Sequence, residues 1–152
     1  MDVLELLVKF RDEMVEEAYN TIEPVRLQGY TKAGEERTKK KLAKLCDEIT
    51  VCVKEKTLIP ILNYTEQMAT ERYTSGYDLH QVQTAINAFE EAVWKRIFAN
   101  TPPEKLKESL GLVTTVIGAG KDNLARTYVS LATKTKTTSL NLQALFKGSE
   151  GE

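Results

Sequence analysis

The segment from Leu79 to Ala99 constrains the fold most. Leu79, Val82, Ile86, Phe89, Val93 and Ile97 step by threes and fours, the spacing that lines one face of an α-helix. Trp94 and Phe98 lie beside that seam. The apolar face therefore broadens toward the carboxyl end and asks for burial on more than one side, against a neighbouring helix or a second subunit.

The same period governs the rest of the chain, and no stretch of four or more residues alternates as a strand would. A first helix is predicted from about Asp2 to Thr21, with Val3, Leu7, Phe10, Met14 and Ala18 on one stripe and Leu4, Val8 and Val15 on a second. It ends before Pro24, where Arg26 to Tyr30 supply a turn. A second helix, from about Lys32 to Lys56, carries Leu42, Leu45, Ile49, Cys52 and Val53. A third begins near Leu58, with Pro60 tolerated in its first turn, and passes through Leu62, Thr65, Met68, Ala69, Arg72 and Tyr73.

Ser75-Gly76-Tyr77-Asp78 then reads as a tight turn, and Asp78 and Gln81 have the spacing of a capping box. After the Leu79–Ala99 helix, Thr101 is expected to cap, Pro102 to take the first helical position and Glu104 to complete the box. The fifth helix follows with Leu106, Leu110, Val113, Ile117, Leu124, Tyr128 and Leu131, reaching about Thr133. Gly118 and Gly120 sit in its interior, where each costs about 1 kcal/mol relative to Ala. A kink or a close helix crossing is expected there.

Beyond it, Thr135 to Ser139 read as a linker, Leu140 to Phe146 as a short amphipathic stretch and the last few residues as disordered. The reading is all-α: a single helical bundle of about five helices over residues 1–133, and a Thr-rich linker and tail over 134–152.

Composition narrows the function classes. The 152 residues hold 21 basic and 22 acidic side chains, a formal charge of −1. A dedicated nucleic-acid binder needs an excess of Lys and Arg to displace phosphate counterions. The run Lys39–Lys41 is balanced by Glu35, Glu36, Asp47 and Glu48 and reads as a solvated helix face.

One histidine and two cysteines leave little material for metal sites or nucleophile–base pairs. Cys46 and Cys52 lie six apart on one helix, which separates them by about 9 Å along the axis and about 240° around it. Neither a disulfide nor a shared metal fits, so both are expected to be free core thiols suited to a reducing compartment. The amino terminus lacks the pattern of a signal peptide and no run approaches a membrane span. The expected location is the cytoplasm.

Three motifs invite chemical readings that fail on spacing. Gly118-Ala119-Gly120-Lys121 lacks the Gly five residues before the Gly-Lys pair and the Ser or Thr after it, because Thr115 and Asp122 stand there. His80 lies on a flank with Thr84, Asn87 and Glu91, away from the seam, and reads as a surface or rim residue. Glu66, Glu71, Glu90 and Glu91 lack the Glu-x-x-His pairs of a di-iron bundle. No catalytic residue, cofactor or metal is expected.

Glu71-Arg72-Tyr73-Thr74-Ser75-Gly76-Tyr77-Asp78-Leu79, followed by Ala88-Phe89-Glu90-Glu91-Ala92-Val93-Trp94, carries a family likeness. It resembles the amino-terminal domain of RsbRD-type RsbT co-antagonists, stressosome proteins of bacterial stress signalling. Arg72, Gly76, Tyr77, Leu79, Val93 and Trp94 fall in the places of that pattern, and the likeness extends over about residues 1–133. The resemblance implies an all-α input domain, globin-like in arrangement as one option, commonly dimeric and without an active site. No stretch after the helical domain is long enough for the STAS output module of that family, so the module's partner role does not carry over. Bacterial sensor globins resemble the same passage but place a haem-ligating His just upstream of the glycine; Glu71 to Ser75 contain none, and no haem is expected.

The expected function is therefore a non-catalytic sensory or regulatory domain that acts by binding, as a homodimer and on a separate signalling protein. The alternative is a small-ligand carrier or haem-type sensor whose interhelical pocket is lined by Tyr73, Phe89, Trp94 and Tyr128.

Overall fold

The computed structural model describes residues 1–22, 32–76 and 78–146, the side chains of 32–33 and 135–146 excepted. Six helices make up the described chain: α1 (Val3–Lys9), α2 (Arg11–Ile22), α3 (Lys32–Glu55), α4 (Ile59–Ser75), α5 (Leu79–Asn100) and α6 (Pro103–Phe146). No strand occurs among the described residues. The all-α bundle reading holds. The turn expected at residues 26–30 and the final residues expected to be disordered lie outside the described residues.

The helices close into a ring. α2 packs on α5, α5 on α6, α6 on α4, α4 on α3, and α3 back on α2, while α1 lies across α3 and α5. Each contributes an apolar stripe to one core. Val82, Ile86, Phe89, Val93 and Ile97 of α5 meet Leu42, Leu45, Ile49 and Cys52 of α3, Ile61 and Met68 of α4, and Val113, Ile117 and Leu124 of α6 in a single buried cluster. The α5 seam read from the sequence is thus the core-facing side, with Leu79 half-buried at its end.

The amino-terminal helix differs from expectation. It is interrupted at Phe10, whose backbone (φ −99°, ψ 11°) leaves the helical region. The chain still passes hydrogen bonds through the break, from Phe10 N–H to the Leu6 carbonyl at 2.9 Å and from Met14 N–H to the Phe10 carbonyl at 2.8 Å. Lys9 Nζ and the Arg96 guanidinium stand 5.3 and 5.5 Å from the centre of the Phe10 ring. Leu6 and Tyr19, outside the stripes read from sequence, are buried, and Val8, inside one of them, is exposed.

The start of α6 is also shifted. Thr101 N–H donates to the Ile97 carbonyl, so Thr101 closes α5 instead of opening α6, and its buried hydroxyl has no hydrogen-bond partner. Pro103, one residue later than expected, takes the first helical position. At the other end α6 runs through Thr135–Ser139, where a linker was expected, to Phe146. Its 44 residues span about 66 Å.

The interior glycines of α6 separate into two cases. A Cβ on Gly120 would stand 2.9 Å from Ile61 Cγ1 and 3.3 Å from Thr65 Cγ2, so α6 crosses α4 closely there. A Cβ on Gly118 meets nothing within 4 Å. The close crossing predicted from the glycines is made by Gly120 alone. Gly118→Ala should therefore raise stability by about 1 kcal/mol through helix propensity. Gly120→Ala should lower it despite the same gain, because displacing a β-branched, fully buried Ile61 costs about 1–3 kcal/mol. Urea unfolding of the two variants should give shifts of opposite sign.

Candidate functional site

Helix α5 has apolar side chains on two faces, one buried and one exposed. Phe89 is fully buried, whereas Trp94 and Phe98 are 39% and 59% exposed. Five residues along an α-helix is a rotation of about 140° from the inward direction. Trp94 therefore projects outward while Val93 and Ile97, its neighbours on the seam, are fully buried. With Glu91, Lys95 and Ala99, the two aromatics line an open depression on the outside of the bundle. Glu91 and Lys95 form a loose ion pair at 3.9 Å along the same helix. A large aromatic pair left partly in solvent, rimmed by charge, is the pattern of an interaction surface.

A second open depression lies between α2 and α5, lined by Asp12, Glu13, Glu16, Glu17, Asn20, Thr21 and Arg96. Its acids are already neutralised. Arg96 approaches Glu17 at 3.4 Å and Glu13 at 3.8 Å, Lys39 meets Glu16 at 2.9 Å, and Arg11 meets Asp12 at 2.8 Å. Arg96 was not singled out from the sequence. The only signal was a cation placed between the buried Val93 and Ile97.

The turn that carries the family likeness is held by its glycine. Gly76 adopts φ 75°, in the left-handed region, and its N–H reaches the carbonyls of Arg72 and Tyr73. Arg72 lies half-buried in the last turn of α4 and Leu79 begins α5 half-buried, while Tyr77 lies outside the described residues. Asp78 caps α5 by accepting from His80 N–H at 3.1 Å, one position earlier than the capping box predicts. His80 itself is exposed.

The four residues expected to line a ligand pocket are dispersed. Tyr73 and Tyr128 meet edge to face, ring centres 5.6 Å apart, across the α4–α6 contact. Phe89 is core, and Trp94 stands on the outer side of α5.

The other candidates serve the fold. Lys121, end of the Gly-Ala-Gly-Lys segment, lies within α6 and donates to Glu90 at 2.9 Å and to Asn87 at 3.2 Å, tying α6 to α5. The lysine run does more than solvate a face. Lys39 bridges Glu16 and Glu35, and Lys41 meets Glu71 of α4 at 2.6 Å. Among the described residues no group of three or more His, Cys, Asp or Glu side chains is placed to hold a metal ion.

Both cysteines are free and buried. Burial pushes the Cys46 thiol up to about 12, and its Sγ lies 3.7 Å from the Leu7 carbonyl. Burial raises Cys52 as well. A thiol so held is a small core residue, because the thiolate is the reactive form. Among the described residues no helix is long and apolar enough to cross a membrane. No family model, curated protein or solved structure matches the chain.

Two expectations follow. Cys46 should resist a thiol reagent near pH 8 in the folded protein and react at the ordinary rate once urea unfolds it, as followed by absorbance of the released chromophore. The hydrogen bond from Lys41 holds the Glu71 carboxyl below its ordinary value of 4.5. A carboxyl depressed by folding stabilises above its ordinary value, and the stabilisation is lost as pH falls through the depressed one. Glu71→Gln should therefore lower the unfolding free energy obtained from urea titration at pH 7, by no more than about 1 kcal/mol for so exposed a pair. The difference from the parent should close on acidification below about pH 4.

Proposed function

We propose that this chain is a non-catalytic sensory or regulatory helical domain of cytoplasmic, bacterial stress-type signalling, which acts by protein binding as a homodimer and on a separate signalling protein. The observation that carries the reading is the exposed Trp94–Phe98 pair on α5. Trp94 is the tryptophan of the segment that resembles the RsbRD-type input domain. There it faces outward, where a role confined to packing would have turned it in.

Other features support the same reading. The thiols, the nucleophiles most easily activated in a chain with one histidine, are held protonated by burial. The candidate pocket is less supported than the outer surface: Tyr73 and Tyr128 occupy each other's edges and Phe89 is sealed in the core. No cofactor enters the proposal.

Light scattering coupled to size exclusion, from about 1 μM to about 1 mM, should give a mass that rises from one chain to two. A single-chain mass across that range would remove the homodimer. Turnover of any member of a broad substrate panel would remove the non-catalytic reading.

A further inference from the structure

We infer that α1 is a latch: it undocks as one unit about Phe10 and uncovers the apolar surface of α3 and α5 beneath it, while α2 to α6 stay folded. The inference stands apart from the regulatory reading above, since its test needs no partner.

The two sides of Phe10 are fastened differently. Beyond it, α2 is clamped by charge. Arg11 holds Asp47 of α3 through hydrogen bonds at 2.6 and 3.0 Å, Lys39 of α3 meets Glu16 at 2.9 Å, and Arg96 of α5 reaches Glu17 at 3.4 Å and Glu13 at 3.8 Å. Before it, among the described residues, no ion pair ties α1 to another helix. α1 is held by the burial of Val3, Leu6 and Leu7 and by two long polar contacts, from Met1 N to the Asn100 carbonyl at 3.4 Å and from Cys46 Sγ to the Leu7 carbonyl at 3.7 Å. A thiol is a weak donor. Three buried side chains are thus set against the ordering of a seven-residue helix, which places α1 at the low end of the range of local stabilities within one fold.

The backbone supplies the pivot. The Phe10 N–H donates to the Leu6 carbonyl, within the α1 side, and the Phe10 carbonyl accepts from the Met14 N–H, within the α2 side. Rotation about the φ and ψ of Phe10 breaks neither bond. The Leu7 carbonyl, which in an unbroken helix would accept from the N–H of Arg11, takes the Cys46 thiol instead. The Phe10 ring stays with the body of the bundle, packed against the core with the Arg96 guanidinium 5.5 Å from its centre. Once off the bundle, a helix as short as α1 does not persist in water, so its amides and the thiol beneath it open together.

Cys46 and Cys52 make the motion measurable in the unaltered chain. Cys46 lies under Leu7, whereas Cys52, six positions along α3, is equally buried with the Ile61 N–H of α4 beside its thiol. Alkylation by iodoacetamide near pH 8, in urea below the unfolding transition and with initial rates mapped by mass spectrometry, should find Cys46 slow but about tenfold or more faster than Cys52. The Cys46 rate should scarcely change with urea, because little surface is exposed when α1 leaves, while the Cys52 rate should climb steeply with it. Amide exchange followed by nuclear magnetic resonance should show the Phe10 N–H exchanging with the shallow urea dependence of Cys46 and the Met14 N–H protected up to global unfolding.

Equal urea dependence of the two thiols overturns the latch, since Cys46 is then reached only by global unfolding. A fast, urea-insensitive Cys46 with a Phe10 amide protected to the global limit also overturns it, because the reagent then enters by a route other than α1. Phe10 and Met14 amides that open together at low urea overturn the pivot.

Discussion

The structure depends on the close crossing of α4 and α6 at Gly120. A hydrogen in place of a side chain lets α6 descend onto Ile61 and Thr65, and the approach is then sealed by polar contacts. Thr65 Oγ1 donates back to the Ile61 carbonyl at 2.8 Å, which keeps a buried hydroxyl satisfied. Asn123 Nδ2, one turn beyond Gly120, donates to the Leu62 carbonyl at 2.9 Å and to Thr65 Oγ1 at 3.2 Å. Apolar packing is non-directional, whereas these bonds are satisfied at one register only. The crossing therefore fixes where along α4 the longest helix sits.

That register sets α5. The residue after Gly120 is Lys121, which reaches the buried Glu90 and the exposed Asn87 of α5. One turn of α6 thus holds α4 on one side and α5 on the other. Arg96 fastens α5 to α2 through Glu13 and Glu17. With its inward seam in the core and its flanks tied to α6 and α2, α5 has one direction left, and Trp94 and Phe98 occupy it. The bidentate Arg11–Asp47 contact, at 2.6 and 3.0 Å, and the Lys41–Glu71 contact complete the ring by joining α2 to α3 and α3 to α4.

The helices were legible because apolar spacing reports burial directly, and the α5 seam from Val82 to Ile97 is buried as its spacing requires. Where the reading failed, a local signal served two masters. Two consecutive prolines offer the first helical position twice, and Thr101 is drawn to α5 by its own N–H, which leaves Pro103 to begin α6. The break at Phe10 leaves no mark in the sequence, since the apolar stripe continues through it and hydrogen bonds bridge it. Thr and Ser weaken a helix only slightly each, so a run of them from 135 to 139 reads as a linker although α6 continues.

The candidate site was half legible for the same reason. Counting aromatics groups Trp94 with Phe89, Tyr73 and Tyr128, but five residues of helix set Trp94 on another face from Phe89. What decides its role is its surroundings. Phe89, Val93 and Ile97 hold α5 in the bundle with no exposed surface between them. Trp94 and Phe98 contribute less to that burial and retain apolar area in water, an unfavourable arrangement for a monomer by about 25 cal/mol for each Å² left exposed. The buried and the solvent-facing aromatic residues thus lie on separate faces of one helix. Lys121 and Arg96 tie the two flanks of that helix to its neighbours, which fixes how its outer face is set on the bundle. A face held in this way would lose little conformational entropy on association, whereas a flexible segment of equal area would first have to be ordered.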